Sequence, residues 1–102
     1  RLKKLFGGGP KADFAGLVKQ GAIILDVRSK GEYASGHIKG SINIPVDQLE
    51  SNLNKLKDKN KVIITCCASG MRSASAKSML ASKGYKEVHN GGGWNSLQSK
   101  IR

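Results

Sequence analysis

Short apolar runs alternate along this chain with longer amphipathic stretches, and the alternation predicts strands and helices in turn. Phe14, Leu17 and Val18 fall on one helical face behind Asp13, a good N-cap, and Gly21 is a natural stop. Ala22 to Val27, AIILDV, is a continuous apolar run with one acid in it, the pattern of a strand buried on both faces. A helical turn is expected over Ser29 to Ala34, and a short strand over Ser41 to Ile44 that stops at Pro45. Val46 to Leu56 places Leu49, Leu53 and Leu56 at helical spacing before the next strand, Val62 to Cys66. Arg72 to Lys83 reads as a helix burying Ala76, Met79 and Leu80, with Gly84 as its stop. Tyr85 to His89 is a last short strand, and Gly91 to Trp94 opens a terminal helix with Trp94, Leu97 and Ile101 on one side.

Strands alternating with helices imply an α/β fold: a mostly parallel central sheet flanked by helices on both faces, with ligands at the carboxyl ends of the strands. Asp26 and Cys67 both fall at such ends, so groups distant in sequence converge on one rim. Residues 1–10, basic and glycine-rich, read as a tail or linker, and residues 11–102 as a single domain.

Composition narrows the function. Eighteen Lys and Arg against seven Asp and Glu leave a formal charge of +11, a field that attracts anions. The lysines are scattered singly apart from KLKDKNK at Lys55 to Lys61, and only five aromatics accompany them, so nucleic acid is not an expected partner whereas small anions are. Two adjacent cysteines, Cys66 and Cys67, make no disulfide framework. With His37 and His89 as the only imidazoles, and neither at a zinc-type spacing from the cysteines, no metal is expected. No apolar run reaches the length of a membrane span and no signal-peptide core is present, so the expected location is the cytoplasm.

The candidate chemistry lies in Lys61 to Ala76, KVIITCCASGMRSASA: a strand, a tight loop of small residues closed by Arg72, and a helix start. A cysteine at such a junction meets converging loop N–H groups and the positive end of a helix dipole, both of which favour its thiolate. Ala68, Ser69 and Gly70 are small enough to let the backbone curl inward around the sulfur. Arg72 is a candidate fork for oxyanions, or else a cap on the loop carbonyls. Ser69 and Ser73 are candidate donors to the sulfur or simple helix caps.

Asp26, within an apolar strand, needs a partner, and Arg28 shares its face of an extended chain; the pair is expected to brace the loop, with direct substrate contact by Arg28 as the alternative. Glu32 and His37 read as structural, Trp94 as core, and Cys66 as a buried thiol or a resolving one.

Three motifs together, ILDVRSKGEYASGHIKGSINIP at Ile24 to Pro45, CASGMRS at Cys67 to Ser73 and GGW at Gly92 to Trp94, resemble the rhodanese-like sulfurtransferase domain in its single-domain form. The resemblance implies a three-layer α/β domain whose cysteine accepts sulfane sulfur as a persulfide and passes it to cyanide, a thiol or a protein acceptor, without a cofactor. It maps the nucleophile onto Cys67, with Ala68, Ser69, Gly70, Met71 and Arg72 completing the cradle. Two other readings stay open. Counted from Cys66, Arg72 lies at C-x5-R, the spacing of cysteine phosphatases and some arsenate reductases. The basic surface also suits a persulfide carrier or interaction module docking on an acidic protein partner.

Overall fold

The computed structural model describes residues 12–102; the tail or linker expected over residues 1–10, and the domain boundary placed after it, lie outside the described residues. The elements are α1 (Phe14–Lys19), β1 (Ile23–Asp26), α2 (Lys30–Ser35), β2 (Ile42–Asn43), two 3-10 segments (Val46–Gln48 and Glu50–Lys55), β3 (Ile63–Cys67), α3 (Met71–Ser82), β4 (Val88–Gly93) and α4 (Trp94–Ile101). The four strands form one parallel sheet in the order β2-β1-β3-β4. An α/β fold with a parallel sheet between helical layers is therefore what the alternating pattern produces.

Strand alternation sorts the core into two faces. Leu25, Val27, Ile63 and Cys67 pack with Leu49, Leu56, Ala76, Leu80 and Tyr85 on the side covered by α3 and the 3-10 segments. Ile24, Ile64 and Cys66 pack with Ile38 and Leu97, flanked by Phe14, Leu17, Val18 and Trp94, on the side of α1 and α4. Because successive side chains of a strand point to opposite faces, the tandem cysteines are split between the two layers. Every buried side-chain nitrogen and oxygen among the described residues has a hydrogen-bond partner.

The N-cap expected for α1 is present, and α2 carries one that was not expected. Asp13 caps α1 by accepting from the Gly16 N–H at 3.0 Å. Ser29 and Glu32 form a reciprocal capping box on α2.

Two expectations are corrected. The leucine-spaced stretch 46–56 folds as 3-10 turns, not an α-helix: Ser51 and Asn52 side chains both bond back to the Gln48 carbonyl, at 3.2 and 2.7 Å, and Asn52 leaves helical geometry at φ −123°. Such local side-chain bonds compete with the helical ladder. The last strand runs over Val88–Gly93, later than expected over Tyr85 to His89, and the glycines lie in it instead of opening the helix.

Packing requires those glycines. A Cβ on Gly91 would stand 2.9 Å from Ile64 and Leu97 side-chain carbons and from the Thr65 carbonyl oxygen, and one on Gly93 would stand 2.9 Å from the Ala68 carbonyl oxygen. β4 thus presses its backbone directly against β3 and the loop that follows it. Thr65 pairs with Asn90 but Cys67 with Gly93, so β4 carries one extra residue just where Cys67 leaves the sheet.

Candidate active site

Cys67 ends β3, and the chain from Ala68 to Gly70 turns back so that α3 starts beside it. The turn depends on Gly70, at φ +106°, a left-handed conformation that other residues rarely adopt. That geometry aims the Gly70 N–H at the Cys67 sulfur, 3.0 Å away, and the Ser73 N–H in the first turn of α3 reaches it at 3.3 Å. The Ser73 hydroxyl lies 3.4 Å from the same sulfur. The sulfur sits at the bottom of the ring: Cys67 is 1% exposed, whereas Ala68, Ser69 and Met71 around it are exposed.

Burial pushes the Cys67 thiol up, but the donors outweigh it. Hydrogen bonds from the Ser73 side chain and N–H, then from the Gly70 and Ser69 N–H groups, hold it below the ordinary thiol value. Alkylation of Cys67 should therefore reach its full rate at lower pH than an ordinary cysteine, because rate follows thiolate fraction. Ser73→Ala should move the rate profile toward higher pH, and an unmoved profile would show that the Ser73 hydroxyl plays no part, leaving the main-chain N–H groups.

Cys66 is in the opposite situation. It is fully buried among Ile24, Ile38, Ile64 and Leu97, and burial, aided by the Asp26 carboxylate and opposed by Arg28, pushes its thiol up to about 12. It faces the other layer from Ser73 and the loop, so the C-x5-R reading gains nothing from the geometry.

Arg72 does not cap the loop carbonyls, the second role expected of it. Its two terminal nitrogens bond the Glu32 carboxylate, Nη1 to Oε1 at 2.8 Å and Nη2 to Oε2 at 3.1 Å, and among the described residues its side chain hydrogen-bonds to no loop carbonyl. The Arg72 guanidinium and a Ser29 N–H and hydroxyl together hold the Glu32 carboxyl at about 2. The pair is thus intact throughout the neutral range and separates only in strong acid.

Asp26 and Arg28 do form the pair that burial demands. Arg28 Nε and Nη2 reach the Asp26 carboxylate at 2.9 and 2.7 Å. Arg28 is 4% exposed, stacks over the Trp94 ring at 4.6 Å, and donates to the carbonyls of Gly36 and Glu32 at 2.7 and 3.3 Å. Its contacts run to α2 and Trp94, not to the Cys67 loop itself. The connection to the loop is relayed: Arg28 holds the Glu32 backbone, and the Glu32 side chain holds Arg72. His37 stacks on Tyr33 with ring centroids 3.7 Å apart and its Nδ1 2.8 Å from the Tyr33 carbonyl.

Asn90 was not legible as a site residue. From β4 its Oδ1 accepts from the Ser73 hydroxyl at 2.6 Å and from the Gly92 N–H at 2.9 Å, and its Nδ2 donates to the Gly70 carbonyl at 3.3 Å. It ties the bulge of β4 to both ends of the loop and fixes the Ser73 hydroxyl. No spacing rule links positions 73 and 90; only the S-x-x-E capping box gave Glu32 a signal, and that signal concerned α2 alone.

A surface concavity of about 400 Å³ lined by Val18, Ile38, Lys39, Gln98 and Ile101 opens on the α1 and α4 side, across the sheet from Cys67. It has no part in this site. Among the described residues no three His, Cys, Asp or Glu side chains cluster as a metal site, and no helix is long and apolar enough to cross a membrane.

A family model described as the rhodanese-like domain matches residues 11–100. The chain is 36% identical to the thiosulfate sulfurtransferase PspE of Escherichia coli over 72% of its own length and 71% of that protein's. It is 39% identical to the putative sulfur carrier protein YrkF of Bacillus subtilis over 66% of its length, which spans only 36% of that longer protein. Among solved structures it is similar to the human single-domain sulfurtransferase TSTD1, with a TM-score of 0.73, 31% identity, and coverage of 83% of this chain and 88% of that one.

Proposed function

Because the chain belongs to the rhodanese-like domain family, we propose that it transfers sulfane sulfur from an anionic donor such as thiosulfate to a thiol or cyanide through a persulfide on Cys67. The observation that carries this reading is the convergence of the Gly70 and Ser73 N–H groups on one recessed sulfur at the end of a parallel strand.

The Cys67 thiolate attacks the outer sulfur of thiosulfate. The S–S bond of the donor breaks and sulfite leaves with its electron pair, giving Cys67–S–S⁻. The acceptor, cyanide or a thiolate, then attacks the outer sulfur of the persulfide, and the Cys67 thiolate departs with the bonding pair, ready for another cycle. Gly70, Ser73 and Ser69 stabilise negative charge on the Cys67 sulfur, and the burial of that sulfur, 1% exposed, shelters the persulfide between half-reactions. No general base is required once the thiolate exists.

Intact mass after thiosulfate treatment tests the first half-reaction. One added sulfur atom is expected on the peptide containing Cys67, and cyanide should remove it; no added sulfur would end the proposal. A second reading, a persulfide carrier serving one protein acceptor, draws on Met71, which is 78% exposed at the loop and offers an apolar contact to a docking protein. Sulfur that loads once but is not released to cyanide or a dithiol would favour the carrier.

A further inference from the structure

Among the described residues, Arg28 and Arg72 are each closed on a carboxylate, Asp26 and Glu32 in turn. Arg72 is next in sequence to Ser73 and close enough for the charge on Cys67 to bear on it. Each of its terminal nitrogens gives one N–H to the Glu32 carboxylate, so the pair is bidentate.

Capping α2 does not by itself require this arrangement. Glu32 Oε1 already accepts from the Ser29 N–H and hydroxyl, each at 3.0 Å, and a glutamine would cap as well. What glutamate adds is a negative charge set against Arg72 from a different element.

We propose that Glu32 is a charge-selecting residue of the Cys67 site: by neutralising Arg72 it disfavours dianionic sulfur donors relative to singly charged or neutral ones. The inference rests on the sulfur-transfer reading for its substrate class, while its physical content, the field at the sulfur, is independent of that reading. It makes a low-charge sulfane donor, such as the persulfide of a small thiol or of another protein, a better match to the site than thiosulfate. Glu32 acts through Arg72 and is a positioning residue.

Alkylation with two reagents of equal reaction type and different charge isolates the field. In each, the Cys67 thiolate displaces iodide; iodoacetate arrives as an anion and iodoacetamide as a neutral molecule. Because both meet the same thiolate, the ratio of their rate constants cancels changes in thiol pKa. Glu32→Gln should raise the iodoacetate-to-iodoacetamide ratio about threefold at low salt, less as salt is added, since side chains 38% and 39% exposed are partly screened. Arg72→Gln should lower the ratio, and the double variant should return it to the parent value.

The donor arm follows the same logic. In Glu32→Gln the kcat/KM for thiosulfate, a dianion, should rise relative to that for methanethiosulfonate, a monoanion. An alkylation ratio unchanged in both single variants overturns the role of Glu32 whether or not sulfur is transferred. Absence of transfer from either donor in the parent chain overturns the sulfur-transfer reading, and is seen before any variant is made.

Discussion

Cys67→Ser should abolish sulfur transfer, a loss on the order of a thousandfold or more, while Cys66→Ala should keep it within about threefold of the parent chain. Both residues are cysteines in one strand and one register step apart, so the contrast measures position alone. Serine at 67 keeps the loop's shape and its hydrogen bonds, but an alkoxide is not accessible near neutral pH and a hydroxyl does not form a persulfide. Alanine at 66 removes a sulfur from among Ile24, Ile38, Ile64 and Leu97 and leaves no buried hydroxyl in want of a partner. Its effect should fall on stability, by about 1 kcal/mol for a small cavity, and not on turnover. Thiocyanate formation from thiosulfate and cyanide checks the first half, and urea unfolding the second. Activity that survives at 67 and disappears at 66 would move the nucleophile to the other face of the sheet.

Asp26→Ala should cost about 3 to 5 kcal/mol of folding stability, because it strands the Arg28 guanidinium, 4% exposed, without its carboxylate. Domains of this size are stable by roughly 5–15 kcal/mol, so a substantial unfolded fraction is expected at moderate urea. Removing both charges is the informative control. Asp26→Ala with Arg28→Leu should recover most of the loss, since the penalty comes from an uncompensated buried charge and not from the value of the pair. The double variant still lacks the bonds from Arg28 to the Gly36 and Glu32 carbonyls and the stack on Trp94, so its residual deficit reports that bracing. A single variant within about 1 kcal/mol of the parent would show that water replaces the carboxylate, contrary to the burial of the site.

The selectivity assigned to Glu32 and the reactivity assigned to Cys67 belong to different parts of the loop. Main-chain N–H groups and Ser73, held by Asn90, set the charge state of the sulfur. The Glu32 and Arg72 pair, anchored through Arg28 to β1, sets the potential that an incoming anion meets. Substitutions should therefore separate thiol reactivity from donor preference.

Read along the chain, apolar spacing and capping residues determined the alternation of strands and helices, hence the parallel sheet. The position of Cys67 at a strand end before small residues determined the candidate cradle, because these are local properties carried by neighbouring residues. What local spacing could not carry was decided in three dimensions. Asn52 bonded back to Gln48 and turned a helical leucine pattern into 3-10 turns. The glycines of β4 joined the sheet because only a bare backbone fits against Ile64, Leu97 and Ala68. The partner of Arg72 lies forty residues earlier, and that of Ser73 seventeen later, so the pairing of each was fixed only when the sheet brought α2, α3 and β4 to one rim.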